Sequence, residues 1–328
     1  MQFRKLGRSG MQVSAFAYGT MLEHKNADAT LLRQAFDAGI NFIDTADSYG
    51  EKGEVESLLG KRLRDLPRDE VVLATKCRWG YGAQGPNRRG LSRKHMVHAC
   101  DASLKRLGVE FIDLYQLHGY DGVTPLEEIA ATIDRLLRQG KILYWGLSNF
   151  NSTFTLKMLK ACDELKVEYP VSHQPEYSML QPGLVEDHGK YVGLASLGQE
   201  FGYGLVVYSP LCGGMLTGKY ANGIPAGSRL DVHVKDHPSW KDRLLKPERV
   251  AAVEKLAELS KRVEIPLGRL ALAWVIQRPA VNAAILGVSN AAQLADNLAA
   301  ADLVLTPDVV SAIEKIRDEY KAALHGQW

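Results

Sequence analysis

Four residues of this chain carry the groups of a proton-transfer apparatus: Asp44, Tyr49, Lys76 and His118. Asp44 and Tyr49 fall in NFIDTADSYG (41–50), Lys76 closes VVLATK (71–76) and His118 closes FIDLYQLH (111–118). A carboxylate, a phenol, an amine and an imidazole thus stand at or just beyond the ends of short apolar runs. A phenol by itself is a poor acid near neutrality, with an ordinary pKa of about 10. A neighbouring ammonium stabilises the phenolate and lowers that value, and a carboxylate beside the amine keeps the ammonium charged and in place. The set reads as a tuned acid, Tyr49, supported by Lys76 and Asp44. Each residue alone has a plainer reading: Asp44 as a turn cap, Lys76 as solvated charge, Tyr49 or His118 as half-buried packing. Their joint placement at the ends of three adjacent runs favours chemistry.

Such residues converge only if the runs are neighbouring strands. The apolar runs predict strands at 13–18, 41–45, 71–76, 112–117, 142–147, 171–175, 204–209 and 283–287. Several, such as VVLA and LVVY, are continuously apolar, as parallel strands buried on both faces are. Amphipathic helical patterns lie between them, at 27–38, 92–107, 125–138 and 152–165. Gly39, Gly108 and Gly140 follow three of these as C-terminal glycines, and Pro125 suits a first turn. Eight strand–helix units, with helices at 247–262 and 267–277 before the last strand and a closing helix at 306–320, predict an α/β fold. That fold is a closed (β/α)8 TIM barrel, one domain over residues 1–328, with residues 2–12 as an N-terminal hairpin. A doubly wound sheet would carry a glycine-rich phosphate turn after its first strand, where this chain has AYGTM. The long loop after the seventh strand, 210–246, is a natural place for function.

Composition narrows the classes. The chain is 46% hydrophobic and 24% charged, with a formal net charge of +2 and charges interspersed, which argues against a nucleic-acid partner. No stretch of about 18 apolar residues is present and the N-terminus has no continuous apolar signal core, so neither a membrane span nor export is expected. Cys77, Cys100, Cys162 and Cys212 are too sparse for a disulfide framework and match no zinc spacing; they read as reduced thiols of a cytoplasmic protein. His24, His95, His98 and His118 lack metal-ligand spacing, so no metal is expected. A barrel hydrolase with two carboxylates would have to pair Asp44 with Glu51 or Glu54, which lie in the next loop or helix start. The GYGAQGPNRRG stretch (80–90) reads as a rim loop rather than a phosphate loop, with Arg88 and Arg89 as solvated charge or as an attraction for an anionic substrate. GVSN followed by AAQLADNLAA reads as a loop opening a helix, whose first N–H groups suit an anion.

At these residues the chain resembles the aldo-keto reductase family over essentially its whole length. The blocks GINFIDTADSYG, VVLATK, DLYQLH, GLSNF, HQPEYS, YSPL and ILGVSNAAQLADN match in order. GMLTGKY (214–220) points to the branch that includes the potassium-channel β subunits and bacterial reductases. The resemblance implies nicotinamide-dependent reduction of an aldehyde or ketone. Tyr49 would protonate the carbonyl oxygen, Lys76 paired with Asp44 would tune it, and His118 would orient the carbonyl. Retention of His118, which the channel subunits replace, favours an enzyme over a slow nucleotide sensor. NAD-linked oxidation of a sugar or alcohol is a further alternative. For the cofactor, NADP(H) is favoured with NAD(H) as the alternative. Thr20 and Met21 would lie near the nicotinamide ribose, Met21 standing where the family often has an aromatic residue. Ser148, Asn149 and Gln174 would hold the carboxamide, and Tyr208 would stack on the ring. Ser209, Pro210, Leu211 and Gly213 would wrap the pyrophosphate, with Lys219 and Arg229 adding charge. Gly287, Ser289, Asn290 and Gln293 would hold the 2′-phosphate region, and Asp296 and Asn297 the adenine; Asn290 stands where many relatives have Arg. Trp79, Gly119, Tyr120 and Trp240 would wall a small-molecule carbonyl or alcohol substrate. The oligomeric state is left open.

Overall fold

A computed structural model describes residues 1–22, 28–80, 85–220, 223–228, 230–232 and 244–321. Eight parallel strands close into a barrel. In chain order they are β3 (Phe16–Gly19), β4 (Phe42–Asp44), β5 (Val72–Cys77), β6 (Ile112–Leu117), β7 (Ile142–Ser148), β8 (Ser172–Gln174), β9 (Gly204–Val207) and β10 (Val281–Gly287). Each lies beside the next, and β10 pairs with both β9 and β3 to close the ring. The predicted (β/α)8 barrel is therefore the fold.

The first strand differs from its prediction at 13–18. Residues Gln12–Ser14 form β2, which pairs antiparallel with β1 (Phe3–Lys5), and the barrel strand starts only at Phe16. The apolar run hides the break because Val13 and Phe16 are both fully buried, in different places. At the break Ala15 N donates to Gln2 O, which ends the hairpin, while Ala15 O accepts from Ala284 N, which opens the barrel ladder.

Side-chain parity explains the interior. Successive residues of a strand face opposite sides. Ala17, Phe42, Val72, Ala74, Leu114, Val206 and Ala283 form one buried cluster inside the ring, with Leu6 and Val13 of the hairpin packed into it. Ile43 and Leu73, of the other parity, join the layer under the helices of the first and last units. Tyr115 and Leu117 join the layer under α3 (Arg93–Leu107), α4 (Leu126–Arg138) and α5 (Ser152–Leu165). Continuing the inward series gives Asp44 after Phe42, Lys76 after Val72 and Ala74, and Gln116 and then His118 after Leu114. Asp44, Lys76, Gln116 and His118 thus stand at the C-terminal ends of their strands.

The hairpin closes the opposite end. A Cβ on Gly7 would stand 2.2 Å from Val171 O and 2.7 Å from Gly204 N, at the starts of β8 and β9, so the turn lies directly against the strand N-termini. Gly108, as predicted, ends α3 in the left-handed conformation at φ 67°, and Ser92 opens that helix by accepting from His95 N. The first helix, α1 (Leu31–Asp37), starts later than the predicted 27–38, because Asp28 accepts from both the backbone and the hydroxyl of Thr30 and holds a turn there.

Candidate active site

The carboxylate of Asp44 is the hub of the barrel mouth. Lys76 Nζ donates to its Oδ2 at 2.5 Å, and Gln174 and Gln116 donate to its Oδ1 at 2.8 and 3.1 Å. Lys76 is fully buried and also donates to Thr45 O at 2.9 Å and to the Tyr49 hydroxyl at 3.3 Å. Burial opposes the ammonium, but Asp44 and the Tyr49 oxygen outweigh it and hold Lys76 above its ordinary pKa. The His118 ring stands edge-on to Tyr49 with centroids 6.0 Å apart. Burial, reinforced by the charges of Lys76 and Arg78, holds His118 well below the ordinary imidazole value, so the ring is neutral near pH 7. The four predicted chemical residues therefore meet, brought together by three strand ends.

Two further groups belong to this cluster and escaped the sequence reading. Gln116 bridges Asp44 and Gln174, whose amide nitrogen reaches its Oε1 at 3.2 Å. Its signal was available: it shares inward parity with Leu114 and His118. Asp47 is fully buried, its backbone N donates to Lys76 O at 3.2 Å, and among the described residues its carboxylate oxygens meet no side-chain hydrogen-bond partner. Burial, with the Glu56 charge second, pushes the Asp47 carboxyl up to about 7.

A cleft of about 820 Å³ runs outward from Asp44, Tyr49 and His118. Of the predicted cofactor residues it is lined by Thr20, Met21, Ser148, Asn149, Gln174, Tyr208, Ser209, Pro210, Leu211, Gly213, Lys219, Gly287, Ser289, Gln293, Asp296 and Asn297. Arg229 and Trp240 lie outside the described residues. Glu176, Gly214 and Thr217 also line the cleft and were not predicted. The walls are pre-set. Tyr208 OH donates to Asn149 Oδ1 at 2.9 Å, Asn149 Nδ2 donates to Ser148 Oγ at 3.1 Å, and Ser148 Oγ donates to Gln174 O at 2.9 Å. Asn149, Ser209 and Cys212 hold left-handed backbone at φ 55°, 54° and 50°, a conformation uncommon for these residues and concentrated here at two strand ends. Both amide hydrogens of Gln174 are taken by Asp44 and Gln116, which leaves its carbonyl oxygen as the group to offer a ligand.

At the far end, α9 (Ala291–Leu298) opens on the cleft. Asn290 is its N-cap and accepts from Gln293 N at 2.9 Å, while Gln293 Oε1 accepts from Ser289 N at 3.0 Å. Asn290 is thus a cap outside the cleft lining. The amides of Ala291 and Ala292 are first-turn donors with no acceptor inside the helix. Asp296 is paired with Arg269 at 2.7 Å.

Three of the predicted substrate residues, Trp79, Gly119 and Tyr120, gather on the rim, outside the cleft lining. Trp79 is exposed, Gly119 follows His118, and the Tyr120 ring packs on Phe150 and Phe154 at 5.8 and 4.6 Å. All four cysteines are buried and free. Among the described residues there is no group of three or more potential metal ligands and no helix long and apolar enough to cross a membrane.

Residues 15–318 match the aldo/keto reductase family. The chain is 37% identical over 327 residues to a putative voltage-gated potassium channel subunit beta of Schizosaccharomyces pombe, covering 96% of this chain and 92% of that one. It is 36% identical to a probable voltage-gated potassium channel subunit beta of Oryza sativa, at 96% of each chain. It is 34% identical over 310 residues to the L-glyceraldehyde 3-phosphate reductase of Escherichia coli, covering 92% of this chain and 87% of the relative. A closed barrel with a phenol, an ammonium and an imidazole gathered at its mouth agrees with that match, and the chain belongs to the aldo/keto reductase family.

Proposed function

We propose that this chain is an NADPH-dependent reductase of aldehydes or ketones, working reversibly, with Tyr49 as the proton donor. One observation carries the reading: the Tyr49 hydroxyl lies 3.3 Å from a buried ammonium that is itself tied to Asp44 at 2.5 Å. The cleft fits a dinucleotide by its donor set. It offers the polar groups of Ser148, Asn149 and Gln174, a turn after β9, the cation Lys219, and a helix start with first-turn amides. Arg229 is assigned to the same turn on sequence grounds. When bound there, the nicotinamide supplies hydride to the carbonyl carbon.

The chain's own residues do the rest. Gln174 accepts from a carboxamide through its free oxygen, Asn149 and Ser148 complete that contact, and Tyr208 walls the ring face. As negative charge grows on the carbonyl oxygen, Tyr49 donates its proton. Lys76 stabilises the phenolate left behind, and Asp44 keeps Lys76 charged. His118, neutral, hydrogen-bonds the same oxygen and orients it. Lys219 favours the pyrophosphate that both nucleotides carry, whereas the first-turn amides of Ala291 and Ala292, where the 2′-phosphate is expected, support NADP(H) over NAD(H).

Titration with NADPH and NADH followed by protein fluorescence, then a carbonyl panel read by nicotinamide absorbance, tests the proposal. Tyr49→Phe should lower kcat by about 10²-fold or more and leave nucleotide affinity nearly unchanged. Full activity in that variant would remove Tyr49 from the role. The names of the fission-yeast and rice relatives favour a second reading, a regulatory subunit that holds nucleotide and turns over slowly. Tight NADPH binding with no turnover on any carbonyl would select it.

A further inference from the structure

The barrel mouth holds a cation that the reduction as described does not use. Arg78 follows the last residue of β5 and is the next member of the inward series Val72, Ala74, Lys76. Its guanidinium lies 3.6 Å from the centre of the Trp79 ring, and Nη2 donates to Tyr120 O at 2.8 Å. Gly119 makes room for it: a Cβ there would stand 3.3 Å from Nη1, on backbone with φ +145° that side chains rarely adopt. The guanidinium therefore sits one residue from His118, whose neutrality it helps to enforce. The residues expected to wall the substrate, Trp79, Gly119 and Tyr120, are the cradle of this side chain.

A guanidinium has five N–H donors in a fork suited to a carboxylate or phosphate. Among the described residues Arg78 makes one hydrogen bond and no ion pair. The acid whose charge it feels, Asp121, has both oxygens engaged by the amides of Leu91, Val123 and Thr124 and by the Thr124 hydroxyl. A residue serving only to pin Tyr120 O needs one donor, whereas this fork leaves four. Arg78 is half-buried, so its charge is less screened than those of the exposed Arg88 and Arg89 on the same rim.

Building on the carbonyl-reductase reading above, we propose that the substrate carries an anionic group a few bonds from its carbonyl, and that Arg78 receives it while Trp79 holds the fork in place. The shared chemistry is a carboxylate or a phosphate on a small aldehyde or ketone. The test compares kcat/KM of the NADPH-bound enzyme for a neutral aldehyde with its carboxylated and phosphorylated counterparts of equal chain length. The parent should favour one or both anionic members by about tenfold or more, the size of a charge-assisted hydrogen bond. The two arms show which anion it is. Arg78→Met should erase the ratio, mainly through KM, and Arg78→Lys should keep part of it. A ratio near one in the parent, or an unchanged ratio in Arg78→Met, overturns the inference while leaving the reductase reading intact. If no carbonyl turns over, the reductase reading falls instead. Calorimetric titration of parent and Arg78→Met with the carboxylated alcohol then decides the present one, and equal affinities would end it.

Discussion

Asp44 accepts from Lys76, Gln116 and Gln174 at once, so its geometry is over-determined and the ammonium behind Tyr49 has one position. Gln116 is the test of this view, since it touches Asp44 but not the proposed reacting atoms. Gln116→Leu should lower stability by about 1–3 kcal/mol in denaturant melts, the cost of leaving buried polar groups unmatched. It should also lower kcat more than it alters nucleotide affinity; a variant with parental kcat would show that Lys76 is held without it. A second expectation concerns pH. An ordinary imidazole titrates near 6.5, and the pKa of His118 lies well below that, so the free-enzyme kcat/KM profile should show no inflection there. An inflection near 6.5 that disappears in His118→Gln would mean that the ring is charged in the working enzyme. The residue types were legible in the sequence, because an inward-facing Lys or Asp in an apolar strand is rare. Asp47 was not, since nothing in DTADSY says which of two acids is buried with a side-chain partner and which without one.

At the scale of elements, strand parity did most of the positioning. β5 and β6 are paired so that Lys76 lies opposite Gln116, and one residue of slip in either strand would turn that strand's polar residue outward. The strand runs themselves were visible as apolar segments, and the registers were not, because pairing depends on neighbours distant in sequence. The hairpin shows the same limit. The hairpin itself was visible over residues 2–12, yet part of its second strand was merged with the first barrel strand. The turn's place against β8 and β9 explains why residue 7 is glycine. Gly7→Ala would press a Cβ to 2.2 Å from Val171 O at φ 52°. The expected loss is about 2–4 kcal/mol in thermal unfolding. Because the hairpin closes the end opposite the cleft, folded variant should bind NADPH as the parent does. A variant of parental stability would show that the turn can leave the barrel.

At the scale of the whole molecule, two buried groups of opposite sense shape the pH dependence of stability. His173 is fully buried beside Thr155, and burial lowers its pKa to about 3. The unfolded chain then binds a proton that the folded one refuses, so this contribution to stability is lost as pH falls from about 6.5 towards 3. Asp47 runs the other way. Its carboxyl is pushed up to about 7, so the folded state keeps a proton that the unfolded chain releases, and stability falls as pH rises from about 4 to 7. In the parent the two partly cancel. Asp47→Asn should therefore stabilise above pH 7, by an amount on the order of 2 kcal/mol, and His173→Met should flatten the acid side. Melts of both variants across this range check the signs, and an Asp47→Asn variant destabilised at pH 8 would mean that the carboxylate is matched there.

The amino-acid sequence by itself determined the barrel, the four residues that meet at its mouth and many of the residues that line the cleft after strand ends. Those features depend on local patterns: apolar runs, period-two parity, glycine stops and the rule that parallel strands deliver their C-terminal residues to one face. Only the tertiary structure decided that Asp44 is shared by three donors, that Asp47 is buried with no side-chain hydrogen-bond partner among the described residues, and that Trp79, Gly119 and Tyr120 enclose Arg78. Each of these depends on distances across strands that are far apart in sequence, and burial and charge become definite only once those strands are closed into one ring.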